Sequence, residues 1–123
     1  MEHEAGIEHV LDMARETARA IRALEAEALD ALHNKGDQET HRFKMMEKCE
    51  LLAELPEHAE PYLKGDDPLS ERLRSGLKDF ARRGNMALDL ESIFFMSALL
   101  YPDDYQDGEP NDLERFILKF EKA

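Results

Sequence analysis

The residues from Ile7 to Leu32 recur three and four positions apart, and this spacing limits the possible folds more than any other feature. The stripe consists of Ile7, Val10, Leu11, Ala14, Thr17, Ala18, Ile21, Leu24, Ala28, Ala31 and Leu32. Such a stripe predicts a first helix over residues 4–33, about 45 Å long. Gly36 can adopt the left-handed backbone that ends a helix, and Asp37 can cap the next one. Because so short a linker forces antiparallel packing, the sequence predicts a helical hairpin.

A second helix is predicted to follow Asp37, with one apolar face. That face comprises Met45, Met46, Cys49, Leu52 and Ala53. Pro56 and Pro61 lack the backbone N–H that a helix interior needs. We therefore expect this helix to end or kink near Leu55.

A third helix has a clear start signal, because Asp67 can cap it and Pro68 suits its first position. Its apolar pattern is interrupted at Gly84 and Asn85 and then resumes. We predict one long helix over residues 68–101 with a weak point at Gly84.

A short last helix is expected at Asp112–Glu121, since Asn111 and Glu114 have the spacing of a capping box. No run of residues alternates between apolar and polar positions, so no sheet is expected. The predicted fold is all-α: one domain, residues 1–123, forming an elongated antiparallel bundle of three long helices and a short C-terminal helix.

The charge of the chain restricts its partners. It has 28 acidic and 16 basic residues, a net charge of −12. Such a field repels nucleic acids and anionic membrane surfaces. The single cysteine, the acidic first residues and the lack of a long apolar run favour a cytoplasmic protein with no membrane insertion.

Metal and catalytic sites have weak signals in this sequence. The histidines share no ligand spacing, and Cys49 lies on an apolar stripe, which is typical of a buried thiol. We expect no catalytic residue, no metal and no cofactor. An alternative is a Mg²⁺-dependent, all-helical nucleotide pyrophosphohydrolase, whose paired carboxylates would come from one helix face and from Glu27 and Asp30. That face carries Glu47, Glu50, Glu54, Glu57 and Glu60.

A second alternative is a calcium site in the loop 103–114. Asp103, Asp107, Gly108 and Glu114 match positions 1, 5, 6 and 12 of the twelve-residue EF-hand loop. Tyr105, however, stands at position 3, where a ligand is needed.

The segment 93–101 differs from the rest of the chain because Ser97 is its only residue that is not apolar. One face of it should point outward in a three-helix bundle and should need cover. The last helix or a homodimer could supply that cover. We interpret it instead as the binding surface for a helix of a client protein. The predicted partner-binding residues are Phe94, Phe95, Met96, Leu99, Leu100 and Tyr101.

Several short motifs resemble the FlgN-like export chaperones of the bacterial flagellar hook–filament junction. They are an acidic-leucine run at 25–32, a polar turn at 35–37, Glu47-Lys48, and the leucines at 51, 52 and 55. Gly84-Asn85 corresponds in reversed order to an Asn-Gly motif, and a tyrosine and Gly108 follow the long helix.

The resemblance implies a cytosolic chaperone that holds the terminal segment of a hook–filament junction subunit soluble before export. Members of this family are not enzymes and need no cofactor. The function expected from the sequence is therefore that of a non-catalytic, protein-binding helical bundle.

Overall fold

Five α-helices build the fold in this computed structural model, which describes residues 2–121, with side chains from residue 5 onward. His3 and the last two residues lie outside the described side chains. The helices are α1 (Glu2–Lys35), α2 (Gln38–Ala59), α3 (Pro68–Leu90), α4 (Ile93–Ala98) and α5 (Asp112–Glu121). A single 3₁₀ turn, Glu60–Tyr62, follows α2, and the described residues contain no strand. The all-α antiparallel bundle expected from the sequence is confirmed.

The hairpin between α1 and α2 forms where it was predicted. Gly36 has a φ of +62°, and the Asp37 carboxylate accepts a hydrogen bond from the backbone N–H of Thr40 at 3.0 Å. The start of α3 is confirmed in the same way, because Asp67 accepts from the N–H of Ser70 at 3.1 Å. These caps satisfy backbone donors that a helix start leaves without a partner.

The last helix also begins as predicted, through a reciprocal capping box. The N–H of Glu114 donates to Asn111 Oδ1 at 3.0 Å, and the N–H of Asn111 donates to Glu114 Oε1 at 2.8 Å. The buried residues of α5 are Leu113, Ile117 and Phe120. They join the main core, in which α5 packs against α1.

Two groups of buried side chains hold the helices together. The main core draws on all three long helices and on α5, with Ile21, Leu52 and Leu77 among its most enclosed members. A smaller cluster lies toward the hairpin turn. It consists of Ala28, Met45, Cys49, Ala87 and Met96. The burial of Cys49 there agrees with the structural role predicted for it.

The helix α2 was expected to end or kink near Leu55, and it does not end there, because it runs through Pro56 to Ala59. The proline removes one intrahelical hydrogen bond. Leu55 and Ala59 lie on either side of it and are both buried in the core, and the Pro56 carbonyl accepts from the N–H of Glu60. Tertiary packing therefore outweighs the local effect of the proline.

The single helix predicted over residues 68–101 is wrong. The chain is helical at Gly84 and breaks instead at Glu91, whose φ of 52° and ψ of 29° are left-handed. Ser92 then caps α4, since its Oγ accepts from the N–H of Phe95 at 3.3 Å. The break turns the chain so that Met96 and Leu100 reach the core, which stabilises the turn.

The helix α3 is continuous at Gly84, where the absence of a side chain permits close packing. A Cβ at this position would lie 2.7 Å from the carbonyl oxygen of Cys49 and 3.2 Å from the Cβ of Leu52. Only a residue without a side chain lets α2 and α3 approach so closely. The glycine that seemed to interrupt the third helix therefore fixes the distance between two helices.

Candidate functional site

Large exposed apolar side chains are concentrated at one end of the bundle, where α1 ends, α2 begins and α3 turns into α4. Those at this end are Leu29, Phe43, Met86, Leu90, Ile93, Phe94 and Phe95. Tyr62 and Leu118 are the other two among the described residues, and both lie outside this end. Scattered apolar residues are normal on a surface, but a cluster of this kind is typical of an interaction site.

The helix α4 presents opposite faces to the core and to solvent. Met96 is 2% exposed and lies in the smaller cluster, whereas Phe94 is 72% and Phe95 52% exposed. The two phenyl rings contact each other edge to face, with their centroids 5.6 Å apart. Because a short helix that is apolar on all sides cannot bury every side, the phenylalanines remain in water.

An apolar groove of about 300 Å³ runs between α3 and α4. It is lined by Arg83, Met86, Ala87, Leu90, Phe95, Ala98 and Leu99. We call this groove, together with the neighbouring Phe94, the α3–α4 surface. The guanidinium of Arg83 donates to Asp112 Oδ2 at 2.8 Å, so the one basic side chain of the groove is already paired.

Of the six predicted partner-binding residues, three lie on the α3–α4 surface and three do not. Phe94, Phe95 and the half-buried Leu99 belong to the α3–α4 surface. Met96 and Leu100 are core residues that support the surface from beneath. Tyr101 faces the other side of α4.

Sequence reasoning missed Met86 and Leu90, which complete the surface on α3. They are four residues apart, so they share one face of the helix. That face is offset from the buried residues of α3, which include Leu73, Leu77 and Ala87. A second apolar stripe on one helix was the signal that could have identified them.

A buried polar cluster ties α4 to α1 and α2. Lys48 is 0% exposed, and its ammonium lies 3.0 Å from Glu25 Oε2 and donates to the Ser97 carbonyl at 3.4 Å. The hydroxyl of Tyr101 donates to Glu25 Oε1 at 2.5 Å, and the ammonium of Lys48 lies 5.2 Å from the centre of the Tyr101 ring. The carboxylate of Glu25 on α1 therefore pairs with the ammonium of Lys48 on α2 and with the hydroxyl of Tyr101, which follows α4.

Burial controls the ionisation of this cluster. It lowers the pKa of Lys48, although Glu25 acts in the opposite direction. It raises the pKa of Tyr101, and the hydrogen bond to Glu25 adds to the effect. The sequence signal for Lys48 was its position on the apolar face of α2, between Met45 and Leu52.

A cleft of about 600 Å³ lies on this other side of α4, beside Tyr101 and Tyr105. Its polar side chains are largely engaged with one another. Arg22 donates to Glu114 Oε1 at 2.7 Å and to the Glu109 carbonyl at 3.1 Å, and Glu25 holds Lys48 and Tyr101. Arg22 and Glu25 are therefore already engaged, whereas the side chains of His41, Ser97 and Asp107 line the cleft without a hydrogen bond or ion pair among the described residues.

The calcium alternative meets an obstacle at position 12 of its loop. Both carboxylate oxygens of Glu114 accept from Arg22, at 2.7 Å and 3.2 Å. A bound cation would have to displace this guanidinium. Within the described part of the chain, no three His, Cys, Asp or Glu side chains are grouped so that they could hold a metal ion.

The carboxylates considered for magnesium are also spread apart. Glu27 pairs with Lys44 at 2.9 Å, and Asp30 pairs with Lys35 at 3.5 Å. The five glutamates of α2 and the following turn are all exposed. Cys49 is buried, which raises its pKa to about 11 and keeps the thiol protonated at neutral pH.

Comparison of the chain with protein-family models, with curated proteins and with solved structures gave no significant match. Across the described residues, no helix is both long and apolar enough to cross a membrane.

Proposed function

We propose that this chain is a non-catalytic, cytoplasmic protein-binding bundle that holds a helical segment of a client protein at the α3–α4 surface. The observation that carries the proposal is the exposure of Phe94 and Phe95 beside an apolar groove. An amphipathic helix that lies in a groove recognises such a surface through apolar side chains three and four residues apart.

The arrangement of α5 supports an external occupant. This helix was the intramolecular candidate to cover the segment 93–101. Its buried apolar side chains, Leu113, Ile117 and Phe120, are instead part of the main core, so α5 leaves Phe94 and Phe95 uncovered. The client fits the role suggested by the sequence resemblance, the terminal helix of an exported subunit such as a hook–filament junction protein.

A labelled 18-residue amphipathic peptide, with leucines at i, i+3, i+4 and i+7, is a suitable probe in fluorescence anisotropy. Phe94→Ser/Phe95→Ser should weaken its binding about tenfold or more, because buried aromatic side chains dominate such interfaces. Tyr62→Ser/Leu118→Ser is the matched control, since it removes two exposed apolar residues from outside this end. The control should bind like the unmodified chain.

Thermal unfolding of Phe94→Ser/Phe95→Ser should remain close to that of the unmodified chain, because both side chains are more than half exposed. The control should lose about 1 kcal/mol at most, since it removes the stacking of Tyr62 on His9. The proposal fails if the unmodified chain does not bind the probe, or if the control loses as much affinity. It also fails if sedimentation shows a dimer that Phe94→Ser alone converts to monomer. That result would make the surface a contact between two copies.

A further inference from the structure

The stretch of chain that includes the end of α3, α4 and the loop after it carries only negative charges. Residues 84–114 contain no lysine, arginine or histidine. They contain eight carboxylates: Asp89, Glu91, Asp103, Asp104, Asp107, Glu109, Asp112 and Glu114. Glu109, Asp112 and Glu114 form ion pairs with Arg115, Arg83 and Arg22. The other five form none in the described part of the chain.

These five carboxylates lie on both sides of α4 along the chain. Asp89 and Glu91 are exposed and flank Leu90 of the groove, immediately before α4. The remaining three follow α4 in the loop beside Tyr101, on the other side of α4, where Asp107 lines the cleft. The C-terminus of α3 adds the partial negative charge of a helix end. The acidic border of the α3–α4 surface therefore consists of Asp89 and Glu91, which form no ion pair in the described part of the chain.

We infer that the occupant of the α3–α4 surface is an amphipathic helix with lysine or arginine beside its apolar face. This inference rests on the proposed function and specifies the chemistry of the client. Basic side chains would pair with carboxylates that have no partner in the free protein, while the apolar face fills the groove. Opposite charge across an interface increases both the rate and the specificity of association.

A second copy of the chain fits this surface less well. Each copy carries a net charge of −12, and a two-fold contact would place the same acidic border opposite itself. An anionic membrane would meet the same repulsion. Both alternatives face like charges at the border, and a basic helix does not.

Three versions of the 18-residue probe test the inference, with the same leucines and with lysine, glutamine or glutamate on the polar flanks. At 50 mM NaCl the lysine peptide should bind about tenfold more tightly than the glutamine peptide, and the glutamate peptide should bind most weakly. At 500 mM NaCl most of this difference should disappear, because salt screens exposed charges.

Two double variants with the same change in net charge distinguish attraction by the acidic border from attraction by the net charge of the whole protein. Asp89→Asn/Glu91→Gln should weaken the lysine peptide about fivefold and leave the glutamine peptide unchanged. Glu54→Gln/Glu57→Gln is the control. It removes two exposed carboxylates from the second half of α2, whose residues Cys49, Leu52 and Ala53 pack against α3 at Gly84. Because α2 and α3 are antiparallel, Glu54 and Glu57 lie on the side of that contact away from Leu90, and this control should change affinity less than twofold.

The outcomes distinguish the two proposals. Equal binding of the lysine and glutamine peptides would overturn the inference about charge and leave the docking surface standing. Equal losses from the two carboxylate pairs would also overturn it, because the attraction would then come from the whole protein. Failure of all three peptides to bind would overturn the proposed function itself.

Discussion

Replacing Glu91 by glycine should stabilise the protein, although the change removes a side chain. Glu91 ends α3 with a φ of 52°. An L-residue in this left-handed region costs about 1–2 kcal/mol, and glycine avoids that cost. The glutamate is exposed, and no hydrogen bond or ion pair holds its carboxylate in the described structure. Removing it therefore loses little.

Two further effects set the size of the change. A carboxylate at a helix C-terminus opposes the helix dipole, so its removal contributes about 0.3–1 kcal/mol. Glycine makes the unfolded chain more flexible, which lowers stability by about 0.5–1 kcal/mol. The free energy of unfolding of Glu91→Gly should therefore rise by about 1 kcal/mol.

Urea denaturation followed by helical circular dichroism measures this effect. With an m-value of about 2 kcal/mol/M, the midpoint should rise by about 0.5 M while the slope stays the same. Glu91→Gln is the matched control, since it removes the charge but keeps the backbone cost, and it should give only about half of the increase. Gly36→Ala should have the opposite sign, about 1 kcal/mol less stable, because Gly36 has a φ of +62° and open space around its Cβ position.

The reasoning is refuted if Glu91→Gly is less stable than the unmodified chain, because the backbone at Glu91 would then not be left-handed. It is also refuted if Glu91→Gln is as stabilising as the glycine, because the gain would then come from charge alone.

Three other changes test the packing of the core. Gly84→Ala should lower the free energy of unfolding by about 1–3 kcal/mol, because the Cβ of alanine would meet a carbonyl oxygen of α2. Alanine favours helices, so a thermal midpoint at or above that of the unmodified chain would contradict this packing argument. Glu25→Ala should lower the free energy of unfolding by about 3–5 kcal/mol, since it leaves the charge of the enclosed Lys48 uncompensated. Lys48→Met should cost less than half as much, and equal losses of the two variants in urea denaturation would be evidence against a buried charge. The pKa of Cys49 is raised from 9.0 to about 11, so the thiol contributes stability that is present below pH 9 and is lost as the pH rises to 11. The stability difference between the unmodified chain and Cys49→Ala should therefore shrink between pH 9 and pH 11, and a constant difference in urea titrations would count against it.

Local signals were sufficient for most of the architecture. Gly36 and Asp37 predicted the hairpin, and Asn111 with Glu114 predicted the last helix at its observed bounds. These signals succeed because caps are formed by residues adjacent in sequence. The turn at Glu91 was missed because glutamate favours helices. What decides the turn is the burial of residues several positions later, which local reasoning does not include.

Only part of the candidate site was predicted, because local reasoning does not include packing between distant residues. An apolar segment that includes Phe94 and Phe95 was evident, and part of that segment is exposed. Which side faces the core depends on the turn, so Met96 was assigned to the surface. Lys48 could not be recognised as buried from its residue type, because lysine is rarely enclosed without a partner, and its partner Glu25 is on another helix.

The enclosed lysine has a consequence for motion. The Ser97 carbonyl and the Tyr101 ring lie against its ammonium, so detachment of α4 and the residues after it would let water reach the charge. Hydration of an ammonium is strongly favourable and offsets part of the cost of exposing Met96 and Leu100, which are both buried. The segment from Ser92 to Tyr101 should therefore open at a lower free-energy cost than its buried apolar side chains alone would indicate, and it should exchange its amide hydrogens before global unfolding. Such an opening would carry Phe94, the most exposed phenylalanine of the described residues, away from the bundle together with Phe95.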